Sequence, residues 1–259
     1  MLTTKKHILV AIDDGHGQET AGKRTPAFSD GHAMKENAFN ERVAVYLEAA
    51  LKRCGFDVLM VAPEDTDTPL TTRVWRANEK NADCYISIHA NAFGNNWNDA
   101  NGIESIVYEK VMPDSETYRF AKGIHDALIR ATGRRDRGVK RSADLFVLKN
   151  THMHAVLLEC GFMTNRQEAV LLESDDYRRE CAEAICRGVC AFYGRTYVEA
   201  KKMERYQKLD DIPGWGQELI GEMQERGCFG DAEKMDLSED MLRGMILMER
   251  LRKAREAER

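Results

Sequence analysis

Cys84 to Ala92, CYISIHANA, is the stretch from which the fold can be read. Cys84 to Ile88 is short, apolar and β-branched, the pattern of a buried strand. His89 stands at its carboxyl end, followed by Ala90, Asn91 and Ala92, small residues suited to a tight turn. Open α/β sheets gather their chemistry beyond the carboxyl ends of their strands. A ring nitrogen at that place faces a crevice, where it can hold a metal or move a proton.

Upstream, His7–Ile12 (HILVAI) is a second strand, and Asp13-Asp14-Gly15-His16-Gly17 follows at once, so His16 also ends a strand. Residues 18–34 lack periodicity and read as an ordered surface loop. Glu36–Arg53 places Phe39, Val43, Leu47 and Leu51 on one helical face, with Glu36 in the first turn and Gly55 ending the helix. A strand over Phe56–Val61 and a helix over Leu70–Asn81 return the chain to Cys84. Downstream come an Asn-rich loop (91–101), a strand at Ile103–Tyr108, a helix at Ser115–Thr132 and an extended segment at Gly138–Leu148. The last strand, Ala155–Cys160 (AVLLEC), carries Glu159 at its end. Asn165 with Glu168 resembles a capped helix start, and a helix over Asp175–Tyr193 closes the main domain. This alternation predicts an α/β fold: a twisted, mostly parallel central sheet with helices on both faces and right-handed crossovers.

The texture changes near residue 199. Trp215, Leu219 and Met223 have helical spacing, and a second helix from Ser238 carries a stripe of Met241, Met245 and Met248. The expected division is a main domain at 1–198 and a small helical C-terminal module at 199–259. Two helices bury little by themselves, so the module is expected to lean on the main domain or on another copy. Its methionines are expected to pack against the partner helix.

Composition narrows the function classes. The 259 residues are 43% hydrophobic and 31% charged, with a formal net charge of -5. That balance argues against nucleic acid as a partner, since phosphate neutralisation favours basic faces. No apolar run is long enough to span a bilayer, so membrane insertion is not expected. The start, MLTTKKHILVAIDDGH, enters a strand without an apolar h-region, so synthesis in the cytoplasm without a signal peptide is expected. Seven cysteines include no CxxC pair. Cys181, Cys186 and Cys190 lie on an amphipathic helix and Cys54 at a helix end. They read as small buried hydrophobes of a reducing compartment, because their spacings do not match the usual zinc-ligand patterns.

His16, Glu36, His89 and Glu159 are the residues to weigh together. In this topology all four can converge on one edge of the sheet. Two imidazoles and one carboxylate suit a catalytic zinc with an open fourth position, and a further carboxylate can carry protons. Singly, a histidine in a Gly-rich turn is an ordinary hydrogen-bonding residue, and Glu36 a favourable acid at a helix start. Glu159 in an apolar strand is harder to set aside, since an unpaired buried carboxylate is costly. Spacing alone leaves rival ligands: His32 is four residues from Glu36, and His152 and His154 are two apart.

Four segments, DDGHG (13–17), KENAFN (35–40), SIHANA (87–92) and LLECGFMTN (157–165), resemble in order and spacing the signature segments of the zinc-dependent N-acetylmuramoyl-L-alanine amidases of the Amidase_3 type. The resemblance spans about residues 7 to 195. It implies one Zn2+ held by His16, Glu36 and His89, with Glu159 as the catalytic carboxylate. Asn91 is a candidate to orient substrate or a ligand. The implied reaction is hydrolysis of the amide joining the muramic lactyl group to the first L-alanine of the peptidoglycan stem, with Glu159 as base and then as acid. The chain departs from the family pattern at Asp14, Gln18 and His154, none of them a proposed ligand.

The basic stretch Arg134–Arg141, read as a loop, is a candidate to meet anionic wall polymers. The C-terminal module resembles the short helical tails of phage and prophage lysins, which implies wall attachment or self-association into a homo-oligomer. The expectation is a phage-type endolysin that acts at the bacterial cell wall after release. The competing readings are a zinc peptidase of peptidoglycan stem peptides and a non-catalytic wall-binding protein on the same fold.

Overall fold

The computed structural model describes residues 7–200, 205–206, 208–229 and 237–257. The opening MLTTKK of the N-terminal reading lies outside the described residues. The chain divides between Val198 and Glu199 into two compact units.

The first unit is built on six strands: β1 (Leu9–Asp14), β2 (Asp57–Met60), β3 (Cys84–Asn91), β4 (Ile103–Tyr108), β5 (Asp136–Ser142) and β6 (His154–Phe162). They lie in the order β2-β1-β3-β6-β4-β5. The pairs β1/β2, β1/β3, β3/β6 and β4/β5 are parallel, whereas β4 runs antiparallel to β6. The sheet is thus mostly parallel with two strands reversed at one edge. The helices are α1 (Glu36–Arg53), α2 (Leu70–Glu79), α3 (Glu116–Thr132), α4 (Phe146–Asn150), α5 (Arg166–Glu173) and α6 (Asp175–Tyr193).

Side-chain alternation along each strand sorts the core into two layers. Val10, Ile12, Ile86, Ile88, Val156 and Leu158 face α1, α3 and α6, and on α1 Phe39, Val43, Leu47 and Leu51 are fully buried there. Ala11, Tyr85, Ala155 and Leu157 face the other way, against Val74 and Ala77 of α2 and Val147 and Leu148 of α4. Strands buried on both faces read as continuous apolar runs. Local capping fixes several helix starts: Ser115 accepts from the Tyr118 amide, and Asn165 from those of Gln167 and Glu168. Gly188 on α6 lets that helix close on α3, since a β-carbon there would stand 2.6 Å from Ile124 Cα.

Three details depart from the sequence reading. β1 begins at Leu9 and runs through Asp14, because Asp13 and Asp14 continue the ladder with Ser87 and Ile88. Residues 138–148 are not one extended segment, since β5 ends at Ser142 and α4 begins at Phe146. The basic stretch 134–141 is largely strand: Arg137 and Lys140 of β5 both bind Glu104, at 2.7 and 2.5 Å.

The second unit has helices α7 (Gly214–Glu225) and α8 (Glu239–Ala257) and a two-residue ribbon of β7 (Arg205–Tyr206) and β8 (Leu237–Ser238). Tyr206, Ile212, Ile220, Leu237, Leu242 and Ile246 form a core of its own. The ribbon and the turn before α7 contribute residues that two helices alone would lack. Of the methionine stripe, Met245 packs on this core while Met241 and Met248 remain exposed.

Candidate active site

The turn after β1 is held by hydrogen bonds from α1, α2 and β3. His16 adopts φ 68°, a left-handed conformation that costs a non-glycine residue energy unless its surroundings hold it. They do. Arg73 of α2 is buried and donates to Asp13 Oδ1 at 2.5 Å, to the carbonyls of Asp14 and His16 at 3.1 Å each, and to Thr68 O at 2.7 Å. Ser87 Oγ donates to the other oxygen of Asp13. From α1, Asn40 donates to Gly15 O at 2.8 Å and Asn37 to His16 O at 3.3 Å. Two helices and a neighbouring strand therefore fix the direction of the His16 ring.

That ring meets the other two candidate ligands. The His16 and His89 rings stand edge to face with centroids 5.0 Å apart. Glu36, buried at the start of α1, takes the His89 Nδ1 contact at 2.9 Å and the Ala90 amide at 3.3 Å on Oε1. Its Oε2 lies 3.4 Å from His16 Nε2 and 4.0 Å from Lys23 Nζ. One ligand atom from each of His16, Glu36 and His89 lies within 4.8 Å of the others. His16 Nε2 is buried without a hydrogen-bond partner. A nitrogen lone pair left over beside an imidazole and a carboxylate is the donor set of a divalent metal site, and these residues fit one.

Glu159 is the cross-strand partner of His89 on one side and of Glu104 on the other. Its Oε2 is also buried and unpartnered. Burial pushes its carboxyl up to about 8; the His89 charge opposes this, while Glu36 and Glu104 add to it. Burial likewise pushes the His16 ring down to about 4, against the pull of Glu36. Burial favours the neutral form of Glu36, but the bond and charge of His89 outweigh it and hold the carboxylate below its usual range. The same bond raises His89 although burial opposes it. Asp14, one of the departures from the family pattern, is pushed up to about 7 by burial and by the charge of Asp13.

Two clefts open on this group. One, of about 570 Å³, has a polar wall that includes Lys23, Arg24, Asn91 and Asn95. The other, of about 540 Å³, is more apolar, with Pro69, Leu70, Leu145 and Phe146 in its wall. Lys23, His89 and Glu159 line both, while Glu36 lines the first alone and His16 the second. Asn91 lies in the wall of the first cleft, with its side chain donating to Glu104 Oε1 at 3.0 Å and accepting from the Ala92 amide.

The rival histidines are engaged elsewhere. His32 is bound to Asp30 and Glu173 and stacked on Phe28. His154 contacts Thr117 Oγ1 and packs by Phe120 and Phe192. His152 is exposed, with its amide donating to Asn78. Lys23, Asn40, Arg73 and Glu104 were not singled out in the sequence. They are isolated polar residues in a loop, two helices and a strand, and no periodicity separates them from surface.

Comparison with known proteins adds an independent line. The model of the Amidase_3 family, described as N-acetylmuramoyl-L-alanine amidase, matches residues 10–191. The endolysin of Bacillus phage SPP1 is 34% identical over 213 residues, covering 80% of this chain and 73% of the endolysin. The N-acetylmuramoyl-L-alanine amidase LytC of Bacillus subtilis (strain 168) is 33% identical over 184 residues; the match covers 71% of this chain but only 35% of LytC. The crystal structure of an N-acetylmuramoyl-L-alanine amidase from Clostridium difficile 630 superposes with a TM-score of 0.65 at 30% identity, over 73% of this chain and 98% of that one.

Proposed function

Because the chain belongs to the Amidase_3 family of N-acetylmuramoyl-L-alanine amidases, we propose that it hydrolyses the amide between N-acetylmuramic acid and L-alanine in peptidoglycan, with one Zn2+ held by His16, Glu36 and His89. The observation that carries this reading is the convergence of those three donors, distant in sequence, beside an unpartnered carboxylate on the next strand. Zinc bound there supplies Lewis acidity, which acidifies water and polarises a carbonyl.

The protein's own residues do the rest. Glu159, whose carboxyl burial holds within reach of neutral pH, takes the proton of the attacking water and passes it to the departing amine of L-alanine. Arg73, Asn37 and Asn40 keep the His16 turn in its left-handed form. Asn91 contributes to substrate binding through its place in the polar wall. The substrate has a sugar arm and a peptide arm on either side of the scissile amide, and the two clefts give each arm a path. Residues 1–198 are the catalytic domain, and 199–259 are a helical module for wall attachment or self-association. Among the described residues no helix is long and apolar enough to cross a membrane, and the place of action is the bacterial cell wall, in the manner of a phage endolysin.

Digestion of purified peptidoglycan followed by identification of the new amino termini tests this. Free L-alanine ends are expected, lost on chelation and restored by zinc. Other amino termini would assign the chain to stem-peptide proteolysis, and wall binding without new termini would remove the catalytic reading.

A further inference from the structure

Six of the seven cysteines are buried, and three of those come together, Cys54 meeting a pair from a distant helix. Cys54 caps the C-terminal end of α1, while Cys186 and Cys190 stand one turn apart on α6. Cys54 Sγ and Cys186 Sγ are 3.6 Å apart, and all three sulfurs lie within 4.8 Å of one another. Three thiolates around an ion at about 2.3 Å have sulfur–sulfur edges of roughly 3.8 to 4.0 Å, so the cluster needs little movement to close on a cation.

Burial pushes the Cys54 thiol up, and the contact with Cys190 together with burial pushes Cys186 up, while the bond from Cys186 lowers Cys190 to about 7. The cluster thus holds one sulfur readily ionised and two that a cation must deprotonate. The Val198 amide donates to Cys54 Sγ at 3.3 Å, the kind of contact that steadies a ligating sulfur. Arg195 and Arg53 both bring positive charge to bear on Cys190. Each is anchored, Arg53 by Glu183 and Val198 O, and Arg195 by Gly55 O. Packing alone would be served by any small hydrophobe at these positions. It gives no reason for the three sulfurs to meet.

We propose that Cys54, Cys186 and Cys190 form a three-thiolate site for a soft, thiophilic cation of the Cd2+, Zn2+ and Cu+ class, separate from the His16–Glu36–His89 set. Soft sulfur ligands favour Cd2+ and Cu+ most, whereas the imidazoles and carboxylate of the other site suit Zn2+ among these ions. Binding releases the three S–H protons to solvent. With a divalent ion the cluster then carries one net negative charge, which the positive charge that Arg195 brings to Cys190 opposes. The inference does not depend on the proposed amidase activity.

The test is titration of the reduced full chain with Cd2+, followed in the ultraviolet by sulfur-to-cadmium charge transfer, a signal that a histidine–carboxylate site cannot give. One equivalent of three-thiolate intensity is expected. Cys54→Ala and Cys190→Ala should each weaken it by at least about 100-fold, since losing even an outer-shell partner costs about 10- to 100-fold. Cys181→Ala, on the same helix but outside the cluster, should leave it intact. Absence of the band would overturn the proposal, as would a band that survives both cluster variants or is lost equally in Cys181→Ala. Should a variant fail to fold by circular dichroism, cadmium NMR of the unaltered protein decides: a strongly deshielded sulfur-ligated resonance supports the site, and only nitrogen- and oxygen-ligated signals refute it.

Discussion

Replacing Gly15 by alanine sets a methyl group against the His89 ring. A β-carbon built on Gly15 stands 2.6 Å from His89 Nδ1 and closer still to Cε1 and Nε2. Carbon contacts settle at about 3.5 to 4.0 Å, so the ring must retreat by roughly 1 Å or more. It has little freedom to do so. β3 is paired on both sides, and Nδ1 is bound to Glu36. The Gly15 amide is itself fixed to Ile88 O at 3.1 Å, so the turn cannot back away without losing that bond. Overpacking of this kind costs about 1 to 3 kcal/mol, and each kcal/mol lowers the melting temperature by about 2 to 4 °C in a domain of this size. The larger effect falls on function, because a 1 Å misplacement of a reacting group can cost about 100-fold in rate. Melting temperature, zinc content by elemental analysis and rate of release of L-alanine termini are measured side by side. Gly15→Ala is expected to stay folded, to lose metal affinity and to fall about 100-fold in rate. Zinc content and rate both within twofold of the parent would refute the claim that this ring position matters.

Glu159→Gln keeps the shape of the buried side chain but has no carboxylate to take a proton. Turnover should fall by about 100- to 10,000-fold, with zinc content unchanged, and a rate within tenfold of the parent would remove Glu159 from the mechanism. Arg73→Met leaves Asp13 buried with Ser87 as its remaining side-chain partner. Breaking a buried ion pair costs about 3 to 5 kcal/mol, so a thermal melt unchanged to within 2 °C would show that Arg73 does not hold the turn. The metal-free protein should lose stability as pH rises between about 6.5 and 8. In that window folded Glu159 keeps a proton that the unfolded chain has released, so each added pH unit favours unfolding by about 1.4 kcal/mol. Below 6.5 the lowered His16 acts in the opposite sense, since the unfolded chain takes up a proton that the folded ring refuses. Denaturant melts across this range should slope downward in the parent and less steeply in Glu159→Gln, where the raised Asp14 and His89 still act in the same sense; equal slopes would contradict the assignment.

What was legible in the sequence followed from periodicity and punctuation. Glu36–Arg53 and Asp175–Tyr193 were bounded correctly because their apolar faces recur every turn and their ends carry first-turn acids and a glycine. Strand direction was less accessible. Ile103–Tyr108 reads as a strand in either orientation, and only pairing shows that it runs against β6. The helix Phe146–Asn150 was missed because it is five residues long and rich in residues that also favour strands. Of the site, the residues that end strands could be named, since topology gathers strand ends. Those that brace them could not, as Arg73 reaches the His16 turn across 57 residues and Asn40 reaches Gly15 across 25.

The same distance effect explains the thiol cluster. Cys54 and Cys186 are 132 positions apart, and neither lies in a metal-ligand spacing. Their meeting depends on α1 and α6 packing along the same face of the sheet, and apolar periodicity predicts that both helices are buried without saying which residues touch. The two candidate metal sites therefore differ in how sequence encodes them. The first is written at two strand ends and one helix start, on the edge where a sheet of this topology collects its chemistry. The second depends on the register of two helices, so one turn of slip would separate the thiols while leaving the hydrophobic pattern of both helices satisfied. Metal binding at the cysteines is thus a sensitive reading of how α6 is set against α1.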